Sequence, residues 1–297
     1  MTLGSYTEDT LVQQTTADYL EQQLGWESVY AYNSEDFGPK SLLGRASDRE
    51  VVLTRILRQK LAELNPGLPG AAYDDAVRQI TATMASQTLA ATNREKYDQM
   101  RDGVQVAFRN GDGELVKERM QLFDFNEPGN NHFLAVRELW IRGDLYRRRA
   151  DIVGFVNGLP LLFIECKNIH KNLKAAFEKN FSDYLDTIPH IFHHNAIVMF
   201  GNGEQAKIGT ITSKWEHFHE WKRLAEEEPG AVDMETLLKG ICDKGNFLDL
   251  RENFILFDES RGEPKKILAK NHQFLGVNRA IEAVCKRKEL HGKLGVF

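Results

Sequence analysis

The chain has 297 residues, 42% of them hydrophobic and 27% charged, which is the ordinary balance of a folded globular protein. No apolar run approaches the roughly 18 residues that span a bilayer, so we expect no membrane segment. A formal net charge of −5 gives no general attraction to nucleic acid, and contacts with DNA would have to come from local patches or from partner subunits.

The N-terminal third is predicted to be helical, and strands follow it. Apolar periodicity and Gly or Pro stops predict helices over 8–25, 48–65, 72–86 and 91–102. Strands are predicted over 104–109, 114–125, 134–141, 196–201 and 206–212, with further helices over 173–185 and 272–287. We therefore predict an α/β fold with a mixed central sheet flanked by helices, without internal repeats.

The most informative segment is 147–168, where two apolar strands meet at Asn157-Gly158, a strong hairpin signal. Charge is absent between Asp151 and Glu165. Glu165 and Lys167 are two residues apart and therefore project from one face of a strand. Burying such charges is costly unless they are paired or bind metal. The Asp…Glu-x-Lys pattern is typical of metal-dependent nucleases; the alternative is a surface Glu-x-Lys pair beside an unrelated Asp.

Phosphodiester cleavage requires an activated water and neutralisation of charge on the phosphate, and a divalent ion with oxygen ligands supplies both. Asp151 and Glu165 suit Mg²⁺, with the backbone carbonyl of Cys166 as a third ligand. Lys167 is suited to orienting the water and stabilising the pentacoordinate phosphate. A plain two-residue turn would place Asp151 opposite Ile164 and on the wrong face, so we predict a longer turn or a bulge in one strand.

Gly154 and Pro160 are the most favourable positions for that bulge. It should bring the two carboxylates to about 3–6 Å from each other, close enough to share one ion.

The segment around the hairpin resembles the nuclease motif of the restriction (motor) subunit of type I restriction-modification enzymes. The similarity extends to segments 124–131, 188–192, 196–201, 248–254 and 270–274, and so covers nearly the whole chain. Ala150 replaces the family's usual Pro, a minor departure. The resemblance implies a restriction-endonuclease-like fold of the PD-(D/E)xK superfamily.

It also implies Mg²⁺-dependent cleavage of double-stranded DNA, coupled to ATP-driven translocation. The implied partners are modification and specificity subunits, and the implied location is the cytoplasm. The three widely spaced cysteines fit a reducing compartment.

The family's Gln-x-x-x-Tyr pair, linked to nuclease function, corresponds here to Asn180 and Tyr184. Asn is one methylene shorter, so a core Tyr with a surface amide is the alternative. Glu8 stands where related nucleases carry an acid that reaches towards the metal, but Ser5-x-x-Glu8 also fits a helix capping box.

Three consecutive arginines, Arg147, Arg148 and Arg149, could bind phosphate or simply form a solvated strand end. The histidines at 190, 193, 194, 217 and 219 lack convincing ligand spacing, so we expect no zinc site.

Gln273 resembles the adenine-reading Gln of superfamily 2 helicases, with an ordinary helix-start residue as the alternative. No Gly-x-x-x-x-Gly-Lys-[Ser/Thr] motif is present. We expect an endonuclease domain over 1–257 and a linker with the truncated start of a RecA-like motor over 258–297, cut from a longer protein. Two alternatives are a non-cleaving assembly or regulatory module with a nuclease-like fold, and a stand-alone DNA repair nuclease.

Overall fold

The computed structural model describes residues 8–31, 35–84, 87–260, 262–289 and 291–292, with side chains from residue 11 onwards. The helices are α1 (Glu8–Gln22), α2 (Thr54–Leu64), α3 (Gly70–Thr81), α4 (Leu89–Asp102), α5 (Leu173–Ala175), α6 (Ser182–Thr187), α7 (Met234–Cys242), α8 (Lys244–Asn253) and α9 (Asn271–Cys285). The strands are β1 (Glu27–Tyr30), β2 (Val104–Arg109), β3 (Leu115–Met120), β4 (Phe133–Arg142), β5 (Arg147–Val156), β6 (Leu159–Cys166), β7 (Ile197–Gly201), β8 (Ala206–Gly209), β9 (Ile255–Asp258) and β10 (Lys265–Leu268).

Six strands form the central sheet, in the order β1-β4-β5-β6-β7-β8. The β1–β4 and β6–β7 pairs are parallel and the other pairs are antiparallel. This mixed sheet confirms the predicted α/β class. The short edge strand β1 was not predicted, since its four residues carry little periodic signal.

Helices cover both faces of the sheet. On one face, α1 contacts β4, β5 and β6, and the Trp26 ring packs where a Cβ on Gly154 would lie. On the other face, α6 brings the Tyr184 ring to 5.5 Å from that of Phe163, between centroids. All eight residues of β6 are buried. A strand covered on both faces reads as a continuous apolar run, as this one does.

The turn between β5 and β6 is a two-residue type I′ turn, with φ of +50° at Asn157 and +82° at Gly158. It is buried rather than exposed. The Asn157 amide donates to the Leu122 carbonyl and to Asn131 Oδ1, both at 2.8 Å, and its Oδ1 accepts the His132 N–H at 2.8 Å. The 122–132 segment therefore fixes the end of the hairpin.

Segment 258–266, predicted to be a polar linker, is structured at both ends, because β9 and β10 pair antiparallel. Lys266 on β10 is buried, and its ammonium donates to Asn93 Oδ1 (3.1 Å) and to the Asn195 carbonyl. The Asn93 amide donates to the Phe192 and Asn195 carbonyls, both at 2.9 Å. We call Asn93, Asn195 and Lys266 the asparagine–lysine cluster. Whether 258–297 is a separate domain stays a prediction.

The longer helices agree with the sequence prediction apart from their ends. The largest difference is α2, which begins at Thr54 instead of residue 48. The predicted helix over 173–185 is real but contains a π-helical turn, Ala176–Phe181, between α5 and α6. Among the described residues, no helix combines the length and apolarity that crossing a bilayer requires.

Candidate active site

A register shift in the β5–β6 hairpin sets the geometry of the site. Val156 pairs with Leu159 and Phe155 with Pro160, but Gly154 pairs with Leu162, which leaves Leu161 as an extra residue on β6. The register that follows puts Asp151 level with Glu165 instead of Ile164. The predicted irregularity is therefore confirmed, between the two positions that the sequence favoured.

The bulge at Leu161 is anchored by the two residues that precede β7. The Leu161 carbonyl accepts the Ala196 N–H at 2.7 Å and the Asn195 side-chain amide at 3.2 Å. A Cβ on Gly154 would lie 2.9 Å from both Leu162 Cβ and the Trp26 ring. Glycine is therefore needed at the irregularity for close approach, although its φ is ordinary.

Asp151 is held by hydrogen bonds from two sides. Gln13 on α1 donates its amide to Oδ1 at 2.8 Å, and the Cys166 backbone N–H donates to Oδ2 at 2.8 Å. Burial and the charge of Glu165 raise the pKa of the Asp151 carboxyl well above its ordinary value. Gln13 was not identified from the sequence. The sequence feature that marks Gln13 is its polar side chain on the helical stripe of α1 that also carries the apolar Ala17 and Leu20.

Glu165 and Lys167 form a direct ion pair, with 2.6 Å between Glu165 Oε1 and Lys167 Nζ. Glu165 is buried at the end of β6, and the Lys167 backbone N–H donates to the Gly201 carbonyl at 2.8 Å. The lysine is thus fixed by its backbone to the end of β7, while its ammonium faces the carboxylate.

Tyr184 lies beside the same carboxylate, and Asn180 lies beside Tyr184. The Tyr184 hydroxyl donates to the Arg149 carbonyl at 3.2 Å, and the Glu165 and Asn180 side chains lie close enough to influence its pKa. Burial, together with the charges of Glu165 and Asp151, raises the pKa of this hydroxyl. Asn180 lies in the π-helical turn, a distortion that is often found at functional sites.

A further acid, Glu138 on β4, was not identified from the sequence. It is buried, and its charge contributes to the raised pKa of Asp151. The β4–β5 ladder runs from Arg137–Ile152 to Leu139–Ala150 without a Glu138–Asp151 pair. An acid in the middle of a largely apolar strand was its only signal.

The donor set suits a hard divalent cation. Asp151 and Glu165 present carboxylate oxygens in a buried setting, where their mutual repulsion favours a bound positive charge. Among the residues with described side chains, no group of three or more His, Cys, Asp or Glu could hold a metal. Two carboxylates with a carbonyl, water and phosphate oxygens are the usual Mg²⁺ environment. The Cys166 thiol is buried, with a raised pKa, and is no nucleophile.

The three consecutive arginines do not form one basic patch, because each is paired with an acid. Arg147 contacts Asp48 at 2.7 Å, Arg148 donates to Asp183 at 2.8 Å, and Arg149 contacts Glu138 at 3.0 Å. Since the acids lie on different elements, the arginines have different surroundings.

The remaining candidates lie elsewhere or outside the description. The side chain of Glu8 is outside the described residues. Gln273 accepts the Lys270 N–H at 2.8 Å through its side-chain carbonyl and so closes the start of α9. Burial lowers the pKa of His193 to about 4 and that of His194 to about 3, and His194 Nε2 donates to the Ile80 carbonyl at 3.0 Å.

Comparisons with known proteins agree on one family. Residues 5–217 match the family model described as the type I restriction enzyme R protein N terminus. The type I restriction enzyme HindI endonuclease subunit of Haemophilus influenzae is 34% identical over 282 residues, which are 92% of this chain and 26% of that protein.

A Methanocaldococcus jannaschii protein, provisionally named the type I restriction enzyme MjaIXP endonuclease subunit, is 24% identical over 266 residues, which are 82% of this chain and 25% of that protein. The chain thus spans about a quarter of the length of the curated relatives it matches. It belongs to the family of type I restriction enzyme R protein N-terminal regions.

Proposed function

We propose that this chain is the endonuclease module of a type I restriction subunit and that it hydrolyses double-stranded DNA with Mg²⁺. The observation that supports this best is the register shift between Gly154 and Phe155, which brings Asp151 level with the Glu165–Lys167 ion pair. A structural Glu-x-Lys pair would not need a bulge that brings a second buried acid beside it.

Asp151 and Glu165 are the proposed ligands, together with the Cys166 carbonyl. When bound, Mg²⁺ would lower the pKa of a coordinated water and neutralise charge on the phosphate. Lys167 stabilises negative charge on the phosphate with its ammonium. Gln13 and the Cys166 N–H hold the Asp151 carboxylate in one orientation, since each bonds a different oxygen.

Tyr184 and Asn180 are proposed to orient Glu165. The tyrosine hydroxyl lies between the Arg149 carbonyl and the Glu165 carboxylate, and its single proton can be given to either oxygen, with the Asn180 side chain beside it. A Tyr184 that stays protonated because of its raised pKa can serve as a steady donor. The shorter amide of Asn180 is thus compatible with the position that the family fills with Gln.

The activity of the whole protein is a further part of the proposal. The relatives are about four times as long as this chain. We propose that the longer protein couples cleavage to ATP-driven translocation and assembles in the cytoplasm with modification and specificity subunits. Gln273 is the proposed adenine contact of that motor.

The test is Mg²⁺-dependent cleavage by the full-length subunit in its assembled complex, with Lys167→Ala compared to the unaltered protein. Removing one charge-stabilising group should lower the rate by about 10²–10³-fold, with DNA binding and solubility retained. The control is Lys174→Ala, because Lys174 is exposed and pairs with Glu178 within the helix. Full cleavage by Lys167→Ala would support the non-cleaving assembly module instead.

A further inference from the structure

Glu138 occupies a strained backbone position next to the proposed metal site. Its φ is +53°, one of three positive values at non-glycine residues in the described part of the chain. The left-handed conformation is unfavourable for an L-residue other than glycine, because its Cβ comes too close to the backbone. Such strain persists where the surrounding structure enforces it, and it is concentrated at functional sites.

The sheet register explains the distortion. Because Arg137 pairs with Ile152 and Leu139 with Ala150, a regular ladder would place Glu138 directly opposite Asp151. Two like charges directly opposite each other in a sheet are destabilising. The left-handed kink interrupts that pair, and the Glu138 carboxylate lies 3.0 Å from the Arg149 guanidinium instead.

Arg149 is thereby placed at the edge of the metal site. It precedes Asp151 by two residues on β5, so the two side chains leave the same face about 7 Å apart along the strand. The guanidinium lies 5.7 Å from the centroid of the Trp140 ring, which limits its movement. Its side chain remains 37% exposed, whereas that of Glu138 is 7% exposed. A guanidinium has five N–H donors in a planar fork, so it can engage an acid and a phosphate together.

We propose that Arg149 binds a DNA backbone phosphate beside the one cleaved at Asp151 and Glu165, and that Glu138 is a positioning residue that holds the guanidinium there. This rests on the proposed nuclease function and adds a phosphate-binding position to it. Arg148 is the matched comparison, because adjacent residues of a strand point to opposite faces and its guanidinium donates to Asp183 instead of Glu138.

The first experiment measures duplex DNA binding by the full-length subunit in its complex against salt concentration, in EDTA, so that cleavage does not enter. Each phosphate contact adds about 0.9 to the slope of log K against log[salt]. Arg149→Ala should reduce the slope by about 0.9, and the matched control Arg148→Ala should leave it unchanged. Both variants lose one positive charge, so a difference in slope reports contact and not net charge.

The second experiment tests Glu138 through cleavage by the full-length subunit in its complex. Glu138→Gln keeps the size of the side chain but no longer holds the Arg149 guanidinium. The salt slope of DNA binding should therefore persist, while kcat falls about 10–100-fold because the DNA is misplaced at the site. Arg149→Lys should also keep the slope and lose rate, because an ammonium lacks the planar fork that Glu138 and Trp140 hold. Thermal melting checks folding, and Arg149→Gln replaces Arg149→Ala if the latter unfolds.

Two results would overturn the proposal: equal slopes for Arg149→Ala and Arg148→Ala, or normal kcat for Glu138→Gln. A failure of the nuclease function itself would be seen separately, as full cleavage by Lys167→Ala. The salt slope is measured without Mg²⁺ and does not depend on that result.

Discussion

Two regions bury charge in this molecule, and they do so in opposite ways. In the asparagine–lysine cluster, the Lys266 ammonium is surrounded by acceptors from α4 and from the loop before β7, and burial lowers its pKa. At the hairpin, Asp151 and Glu165 lie beside each other, and their repulsion and burial raise the pKa of Asp151. One region satisfies its charge with neutral groups, while the other places a second carboxylate beside the Glu165–Lys167 ion pair.

This difference separates a structural group from a functional one. A buried cation that donates to two chain oxygens contributes to the fold and offers nothing to a ligand. Adjacent buried carboxylates weaken the fold, and an added cation relieves the cost, so they are expected where a ligand binds. Replacing Lys266 with alanine should therefore lower stability and leave cleavage intact. Replacing Lys167 with alanine should lower cleavage and leave stability intact.

The largest effect on stability is expected for Lys266→Ala. It removes the donor to Asn93 Oδ1 and the Asn195 carbonyl and leaves a cavity. Loss of about 2–5 kcal/mol from the free energy of unfolding is the usual result of such a change. Chemical denaturation measures it. Cleavage per folded molecule should stay normal, which is the reverse of Lys167→Ala; a stable Lys266→Ala variant would contradict the structural role of the cluster.

A smaller effect is expected for Gly154→Ala, which tests the irregularity on which the comparison depends. The added methyl would meet Leu162 Cβ and the Trp26 ring at 2.9 Å, and overpacking of this kind costs about 1–3 kcal/mol. Because the shift begins at Gly154, we also expect slower cleavage. Gly129→Ala is the control, since a methyl group added there would have nothing within 4 Å. Equal melting temperatures for both variants would show that the bulge tolerates a side chain.

The smallest effect is expected for Asp151→Asn without Mg²⁺, and it is a gain. The unfolded carboxyl ionises near pH 3.9, whereas the pKa in the fold is raised. Above about pH 3.9 the fold therefore loses stability as pH rises, until the folded group ionises too. Asparagine removes this loss, so Tm should rise at pH 7 by about 2–4 °C, which corresponds to about 1 kcal/mol, and not at pH 3.

Added Mg²⁺ should reduce the difference in Tm between Asp151→Asn and the unaltered protein, because it binds and stabilises the unaltered protein and not the variant. Calorimetric scans at the two pH values, each with and without Mg²⁺, measure all four conditions. A lower Tm for Asp151→Asn at pH 7 would show that its hydrogen bonds to Gln13 and Cys166 outweigh the repulsion.

The sequence was most informative where local chemistry decides the structure. Asn157-Gly158 predicts the type I′ turn, and the opposite-face problem at Asp151 predicts the bulge from strand geometry alone. The acid, acid and lysine of the hairpin could be identified because the surrounding residues are apolar. Their roles as ligands and charge stabiliser stay predictions until cleavage is measured.

The features that could not be predicted from the sequence depend on contacts between residues far apart in the chain. Gln13 lies 138 positions before Asp151, and no periodicity shows that its amide meets that carboxylate. The kink at Glu138 arises from the register of two strands. The β9–β10 hairpin was missed because its polar sequence resembles a linker, whereas Lys266 is buried by partners more than 70 positions away.

The buried turn at Asn157-Gly158 also determines where the chain can be altered or cut. Hairpin tips are usually the sites where a protein tolerates an inserted peptide and where proteases cut the chain. Here the backbone of the tip bonds to His132 and Leu53, so an insertion would break the packing of neighbouring segments. The opposite tip, between β4 and β5, has Leu145 87% exposed. A fluorescent label or affinity peptide belongs there, provided that Arg147 to Arg149 are left intact.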